Sequence, residues 1–501
     1  MPRRSSDPEE AGAAELPSDL EDIEDPEGSP AIPAAAVAAR AAGAAHPHRQ
    51  TGYGDRDIWA LAWPVILSQV LASAVSLIDI AMLRALPSDA IAAVGFATQY
   101  LWLGQSVLFA IGIACVALMA RAVGAGAYRR ARHALAASLA MAVTLGTAFA
   151  AGTVLLPDRC MALLGADPRV IDIGRPYFQL SLGATAILAV TITLESAFRA
   201  VRDTRTPMIL ASTVTVVKTV LNYALIYGEL GAPQLGLTGA GLATAVSQVF
   251  GLVLFVAVGT TAGGPVPIRV SLRDLREAHG IYSEVLRISL PAVGERVVMN
   301  AAMMAYFSLV GIYGSAALAA YTIGVRLLSF SWIPGTGFAV AASTLVGQAL
   351  GAADPEAAGR AAARCLRFAL FTSIGLGLLF AGVREPLARA FTADPTVVAE
   401  LVPFMLLLAL AQPLLALHFT LGGALRGAGD TLTPLLAAAL GNWAFRVPLA
   451  WLAGHLLELD VIYVWAALAF DHLARSALLG VVFARGTWRS RVGLEVAPRR
   501  H

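Results

Sequence analysis

Apolar residues occur along this chain in long runs, and short polar stretches separate the runs. From Ile58 onward each run is long enough to cross a hydrocarbon core, which takes about 20 helical residues. A membrane barrel would instead show segments of about ten residues that alternate in polarity. The pattern predicts an all-α membrane protein with twelve transmembrane helices, numbered spans 1 to 12, at residues 58–84, 91–119, 134–156, 174–198, 207–228, 237–262, 284–312, 318–350, 366–382, 397–424, 433–455 and 461–484.

The composition excludes a soluble globular protein. Hydrophobic residues make up 57% of the chain and charged residues only 14%, and the mean hydropathy is +0.69. Soluble domains carry about 25% charged residues. The abundance of alanine and glycine fits the close helix–helix contacts of membrane bundles.

Charge is distributed unevenly, and its distribution predicts the orientation in the membrane. Residues 1–50 hold ten acidic and four basic side chains and few large apolar ones, which predicts a disordered acidic cytoplasmic tail. Basic side chains concentrate in alternate connections, at 121–133, 199–205, 269–287, 360–367 and the C-terminal segment, whereas 383–396 is a basic connection on the other side. Because cytoplasmic loops carry the excess of Lys and Arg, we expect a protein of the cell inner membrane with both termini in the cytoplasm.

The chain contains an internal repeat with an offset of 227 residues. The pattern Arg-x-x-x-Asp-Thr-x-Thr-Pro begins at Arg199 and recurs at Arg426. Because each repeat has six helices, both halves enter the membrane in the same sense, and a pseudo-twofold axis along the membrane normal should relate them. The predicted domains are the tail at 1–50, a first six-helix bundle at 51–262, a cytoplasmic linker at 263–283, a second bundle at 284–486 and a basic tail at 487–501.

Several functional classes lack the residues that they require. Lys218 is the only lysine and does not follow a glycine-rich loop, so a Walker A site for ATP is excluded. Cys115, Cys160 and Cys365 are far apart and predict neither a disulfide framework nor a zinc site. We therefore predict a protein that is not an enzyme, with no cofactor, no metal site, no catalytic residues and no nucleic-acid partner.

Ion coupling would then depend on ionisable side chains within the spans, where each costs roughly 2.5–3.5 kcal/mol. Glu195 and Arg199, and likewise Asp471 and Arg475, are four residues apart, so each pair is expected to lie on one helix face and to be structural. Asp79 in span 1 has no such partner. Because a low dielectric disfavours a charged carboxylate, Asp79 is the candidate for binding and releasing a proton.

Span 5 places two polar residues where they could meet Asp79. Lys218 and Asn222 are one turn apart on the same face, and spans 1 and 5 run in the same direction. One hypothesis is a Lys218–Asp79 pair that opens when Asp79 is protonated. The alternative is a lysine that extends along its own span towards the membrane interface.

Several motifs resemble the multidrug and toxin extrusion (MATE) family of the MOP flippase superfamily. They are Trp63-Pro64-Val65-Ile66-Leu67, Asp79-Ile80-Ala81-Met82, Leu221-Asn222-Tyr223, Gly236-Leu237-Thr238-Gly239-Ala240, Gly347-Gln348-Ala349-Leu350-Gly351-Ala352 and the two Asp-Thr-x-Thr-Pro loops. The resemblance covers about residues 58–486. It implies a secondary active antiporter, expected to be monomeric, that binds small organic and often cationic compounds and exports them in exchange for protons or sodium ions.

The sequence is most similar to the DinF-like branch of that family. There the cation site of the first bundle contains an Asp in span 1, an Asn and an Asp one turn apart in span 5, and a Thr in span 6. Asp79, Asn222 and Thr244 match these positions, but Ile226 stands at the second carboxylate. The loss of an oxygen ligand weakens a site for a hard cation, so the comparison favours protons over sodium.

A possible second site in the second bundle comprises Glu295, Arg326 and Arg446. Arg446 could instead bind carbonyl groups of a neighbouring span, and the acidic residue that couples ions in other branches of the family lies further past the proline than Glu295 does. The basic residues keep open an alternative function, a flippase for lipid-linked saccharides.

Three aromatic residues, Tyr100, Tyr306 and Trp332, are expected along a substrate path between the bundles. Aromatic faces attract organic cations by roughly 0.5–2 kcal/mol. Trp and Tyr also mark membrane interfaces, and the sequence alone does not separate the two roles.

Overall fold

The computed structural model describes residues 54–84, 86–261 and 270–490. The predicted acidic tail at 1–50, residues 263–269 of the predicted linker and residues 491–501 of the basic tail lie outside the described residues. In the described chain, twelve helices are long and apolar enough to cross a membrane, as the apolar runs predicted. Spans 1 to 12 are Asp55–Leu83, Ser88–Gly124, Tyr128–Leu155, Pro168–Ala200, Arg205–Tyr227, Gly236–Thr260, His279–Tyr313, Ser315–Gly351, Pro355–Phe391, Pro395–Gly427, Leu432–Leu456 and Val461–Arg485.

Several helices extend well beyond their predicted ends. Span 9, predicted at 366–382, begins earlier, at Pro355, and continues to Phe391 across a kink at Val383, where the backbone is not helical. The arginines expected in the two flanking connections therefore lie on helical segments on either side of that kink. An apolar run reports only the part of a helix that crosses hydrocarbon. The polar ends continue as helix because side chains four residues apart pair there, as Arg389 does with Glu385 at 2.6 Å.

The described part of the predicted linker at 263–283 contains a short helix and the first residues of span 7. Ser271 caps the short helix Leu272–Glu277 by exchanging hydrogen bonds with Asp274, the arrangement of a capping box. Span 7 begins two residues after this helix, at His279.

Some helices depart from regular geometry. The short helix Pro157–Leu163 precedes span 4, which is divided at Ala184. Span 11 contains two π-helical stretches, Leu440–Arg446 and Leu452–Leu456. Each π turn holds an extra residue and so redirects the side chains that follow. The hydrophobic pattern contained no sign of these stretches.

Spans 1–6 and spans 7–12 form two bundles that repeat the same packing. Span 1 packs on span 5 of its own bundle and on span 8 of the other, and span 7 packs on span 11 and on span 2. These helix pairs are equivalent under the 227-residue offset. The arrangement confirms the predicted fold of two six-helix bundles related by a pseudo-twofold axis.

The bundles meet at the end of the molecule where spans 1 and 7 begin, which we call the near end. Leu61 and Ala62 of span 1 are buried in the apolar core of the second bundle, and Val285 and Ile288 of span 7 in that of the first. Towards the opposite end, the far end, each bundle has an apolar core made only of its own residues. The near end therefore holds the two bundles together in this structure.

Candidate functional site

Asp79 lies near the far end of span 1 and forms a salt bridge with span 5. Its carboxylate accepts hydrogen bonds from Lys218 Nζ at 2.7 Å and from Asn222 Nδ2 at 2.9 Å. Lys218 and Asn222 share one face of their helix because they are four residues apart. The side chains of Asp79 and Lys218 are 19% and 31% exposed, so neither member of the pair is fully buried. The structure thus brings together three of the residues predicted for the coupling site.

The fourth predicted residue, Thr244, does not join this hydrogen-bonded group. Its hydroxyl donates to the carbonyl of Ala240 in its own helix at 3.0 Å. Ile226 is buried in the apolar core of the first bundle. The group therefore consists of one carboxylate, one ammonium and one amide.

Two tyrosines that sequence reasoning missed pack near the end of span 1 that carries Asp79. Tyr227 Oη donates to the carbonyl of Met82 at 2.7 Å, which ties the end of span 1 to span 5. Tyr177 of span 4 is buried in the far-end apolar core of the first bundle, against which Met82 of span 1 also packs. Neither tyrosine stands in a motif, so only the packing of spans 1, 4 and 5 reveals them.

A cavity of mixed polar and apolar lining in the near half of the first bundle extends towards the Asp79–Lys218 pair. It has a volume of about 200 Å³ and lies between spans 1, 2, 4 and 5. Its wall includes Glu195 and Arg199, whose predicted pairing is confirmed at 2.9 Å. Thr215, one turn before Lys218, also lines it. At about 30 Å³ per water molecule, the cavity has room for several waters below the ion pair.

In the second bundle, Glu295 of span 7 forms a salt bridge with Arg426 of span 10, with N–O distances of 2.6 and 2.8 Å. Sequence reasoning missed this pair, although the repeat contained the signal. Arg426 is equivalent to Arg199, but the position one turn earlier, which holds Glu195 in the first half, is Gly422 in the second. Arg426 therefore pairs with an acidic residue of another span, Glu295.

Asp471 forms the centre of a buried charge cluster. It pairs with Arg475, as the spacing predicted, at 2.5 and 2.8 Å, and also with Arg446 of span 11. Asp471 is 0% exposed, Arg475 4% and Arg446 9%. A Cβ atom at Gly441 would lie 2.1 Å from Asp471 Oδ1, so only glycine allows this π-helical turn to approach the carboxylate. Arg446 binds a carboxylate rather than carbonyl groups, and two cations share one anion.

Two histidines, His418 of span 10 and His472 of span 12, lie beside this cluster. The rings of His418 and His472 stack with centroids 5.3 Å apart. His472 is buried, and neither of its ring nitrogens has a hydrogen-bond partner in the described chain. Arg326 lies apart from both ion-paired groups and is exposed on span 8. The three residues predicted as one second-bundle site thus belong to three separate environments.

The aromatic residues predicted along the substrate path are held by contacts within their own bundles. Tyr306 is fully buried and donates to the carbonyl of Val464 at 2.9 Å, so it does not line a path in this structure. Tyr100 Oη donates to the carbonyl of Cys160 at 2.8 Å. Trp332 is partly buried against the apolar core of the second bundle. Sequence alone could not show these partners, which lie on other helices.

Comparisons with known proteins agree with this fold. The chain is 27% identical to a probable multidrug resistance protein NorM from Thermotoga maritima over 445 residues, covering 88% of this chain and 94% of the relative. It is 30% identical to a probable NorM of Bradyrhizobium diazoefficiens, covering 84% and 91%. Among solved structures, a MATE P26A mutant superposes with a TM-score of 0.79 at 20% identity, covering 88% of this chain and 97% of that one. An outward-facing multidrug resistance MATE family transporter of the MOP superfamily gives 0.78 at 20% identity, covering 87% and 96%.

The MatE family signature matches the chain twice, at residues 64–224 and 291–452. The two matches begin 227 residues apart, which is the offset of the internal repeat. The twelve apolar helices, the two bundles and both matches agree, and the chain therefore belongs to the MatE family of multidrug transporters and is not an enzyme.

Proposed function

We propose that this protein is a secondary active antiporter that exports small organic compounds in exchange for protons. The observation that carries the proposal is the ion pair between Asp79 and Lys218, with Asn222 on the second carboxylate oxygen. Charged side chains are rare in spans and mark ion pathways by default. Exchange requires a group that binds either a proton or another partner, and this carboxylate meets that requirement.

The composition of the group favours protons over sodium. A sodium ion, as a hard cation, needs several oxygen ligands, whereas the Lys218 ammonium already lies 2.7 Å from Asp79 Oδ2. The second carboxylate of the related site is replaced by Ile226. A proton needs only the Asp79 carboxylate itself, and its binding would release Lys218 from the pair.

Release of Lys218 provides a link between protonation and movement of the helices. An ammonium group that has lost its carboxylate in a low-dielectric environment is unfavourable, so span 5 must find a new arrangement relative to span 1. Because span 1 also packs on span 8 of the other bundle, a shift of span 1 is transmitted to the contact between bundles. Alternating access between the two bundles follows.

The distribution of basic residues supports a cytoplasmic near end. The near end holds Arg121, Arg129, Arg130 and Arg202, and basic connections face the cytoplasm. In this orientation the protein lies in the cell inner membrane with both termini in the cytoplasm, and the structure is closed on the cytoplasmic side. The organisation in two complementary bundles fits a transporter that works as a monomer.

The test is dye transport into proteoliposomes under an imposed proton gradient or, separately, an imposed sodium gradient. A panel of cationic, neutral and anionic fluorescent dyes makes the result of the assay independent of the charge that the transporter prefers in its substrate. We expect transport to follow the proton gradient, to be lost in Asp79→Asn and to persist in Asp172→Asn, a carboxylate that is 77% exposed. Undiminished transport by Asp79→Asn refutes the coupling role, and transport driven only by sodium refutes proton coupling.

A lipid-linked saccharide flippase is the second candidate, favoured by the exposed Arg326 on span 8. Rescue of a flippase-deficient strain, together with no transport of any dye, would select it over the antiporter.

A further inference from the structure

The middle of the second bundle holds more cations than anions. Glu295 and Asp471 are its acids, and both are already bound to arginines, namely Arg426 for the first and Arg446 and Arg475 for the second. Arg296 and Arg326 are two further cations of this region. Both are exposed, and neither makes a salt bridge within the described chain.

Arg296 points towards the first bundle. Gly294 faces Leu435 of its own bundle, because a Cβ atom added at Gly294 would lie 3.5 Å from the leucine side chain. Successive helical residues turn by about 100°, so Arg296, two residues later, faces nearly the opposite way. Arg296 also lies within about 20° of Val285 and Ser289, and Val285 is buried in the apolar core of the first bundle.

Arg326 points the same way from span 8. Gly324 packs on Phe404 of its own bundle, so Arg326, two residues later, faces nearly opposite. Gly337 follows Arg326 by eleven residues and thus lies within about 20° of it. A Cβ at Gly337 would lie 2.6 Å from Ile66 of span 1. The two bundles are in contact at Gly337, and three turns further out they have separated and Arg326 is exposed.

The two guanidinium groups lie at similar depth. Arg296 precedes the turn at Gly311 by 15 residues, and Arg326 follows Gly314 by 12. At 1.5 Å per residue their depths differ by only about 5 Å. Arg296 and Arg326 therefore face the cleft between the bundles as a pair.

The opposite wall does not neutralise this pair, because the Asp79 carboxylate of the first bundle is already bound to Lys218. Arginine stays charged at any physiological pH, and its planar donors match a carboxylate or phosphate in two parallel hydrogen bonds. A cationic compound in this cleft would meet two uncompensated positive charges. An anionic group would compensate them.

We propose that Arg296 and Arg326 bind the substrate, and that the exported compounds carry an acidic group such as a carboxylate, sulfonate or phosphate. This inference rests on the proposed transport function and adds the charge of the substrate to it. Proton exchange at Asp79 and anion recognition at the arginines take place on opposite bundles.

The test compares two dyes with the same xanthene framework and opposite charge, fluorescein and rhodamine 123. Their affinities for the purified full-length protein in a neutral detergent are measured by fluorescence anisotropy at about pH 8. We expect fluorescein to bind at least about tenfold more tightly than rhodamine 123. In Arg296→Gln/Arg326→Gln we expect fluorescein affinity to fall at least about tenfold, because charged hydrogen bonds are lost.

The matched control is Arg384→Gln, an exposed arginine on span 9 that bonds only to its own helix, and its affinities should match the wild type. The lysine variants Arg296→Lys and Arg326→Lys keep the charge but not the planar donors, so they should fold normally and lose part of the affinity. Equal or tighter binding of rhodamine 123, no binding of either dye, or fluorescein binding that survives the double substitution would each overturn the proposal.

Competition identifies the source of the acidic group. Displacement of fluorescein by phenyl phosphate indicates a soluble anion, and displacement only by a polyprenyl phosphate indicates a lipid headgroup; both outcomes support anion recognition. Loss of the proposed transport function has a different signature, since then no dye of any charge moves under either gradient.

Discussion

Gly124 of span 2 and Gly351 of span 8 make reciprocal contacts across the pseudo-twofold axis. A Cβ atom at Gly124 would lie 2.0 Å from the Gln348 carbonyl oxygen, and one at Gly351 would lie 2.0 Å from that of Arg121. Both members of each contact are 227 residues from their counterparts. Gln348 also donates to the carbonyl of Ala200 at 2.8 Å. The two bundles thus meet backbone to backbone at the near end.

Substitution of either glycine should prevent the close backbone contact between spans 2 and 8. We expect Gly124→Ala and Gly351→Ala to destabilise the structure by about 1–3 kcal/mol, the usual cost of overpacking, and to reduce transport. Thermal unfolding of the detergent-solubilised protein measures the first effect. The control is Gly152→Ala, where nothing lies within 4 Å of the added Cβ. Melting temperatures equal to that control would show that the crossing tolerates a methyl group.

The Asp79–Lys218 pair should show energetic coupling. We expect the single variants Asp79→Asn and Lys218→Met each to lose stability, because each leaves a charge without its partner, and the double variant to lose less than their sum. A double-mutant cycle should give a coupling of about 1–2 kcal/mol, since the pair is partly exposed.

The exposed pair Arg367–Asp55, at 3.0 Å with side chains 67% and 53% exposed, is the control for that cycle. Surface ion pairs contribute about 0.2–1 kcal/mol. A coupling at Asp79–Lys218 no larger than that of the control would contradict a protected ion pair.

Removal of the carboxylate at Asp471 should be more harmful than removal of one of its arginines. Asp471→Asn leaves Arg446 and Arg475 buried without an anion, which we expect to cost about 3–5 kcal/mol. Arg446→Met leaves the Asp471–Arg475 pair intact and should cost less. Chemical or thermal unfolding of both variants provides the comparison, and an equal or reversed order would show that the cluster is not organised around Asp471.

The short helix Leu272–Glu277 should loosen in acid. Hydrogen bonds from Arg273 and from Arg129 lower the pKa of Glu277 from its usual 4.5 to about 2. Burial opposes ionisation of Asp274, but hydrogen bonds from Ser271 outweigh it and its pKa is lowered as well. A lowered pKa means that these contacts stabilise the helix fully above about pH 4.5 and lose their effect as the pH falls towards 2.

Pepsin, which is active over this range, measures the loosening as cleavage near Leu272 and Leu275. Cleavage of the wild type should increase as the pH falls from about 4.5 to about 2. In Glu277→Gln the site should already be accessible at about pH 5 and depend less on pH. The same steep pH profile in both proteins would assign the effect to groups other than Glu277.

Contacts between residues close in sequence were predictable, and contacts between distant spans were not. The pairs Glu195–Arg199 and Asp471–Arg475 followed from a spacing of four residues. The partner of Glu295 was not predicted, because Arg426 is 131 residues away. The Lys218–Asp79 contact was one of two hypotheses, since a side chain of that length has several possible directions within a span.

The twelve spans, the 227-residue repeat and the family were determined by the sequence alone. Hydrocarbon admits only segments that satisfy their own backbone hydrogen bonds, so apolar length by itself predicts helices. The tertiary structure decided which charges are paired and which remain free. Asp79 and Glu295 are neutralised from other helices and Tyr306 is buried, whereas Arg296 and Arg326 face the cleft, because these outcomes depend on the rotation and packing of each span against its neighbours.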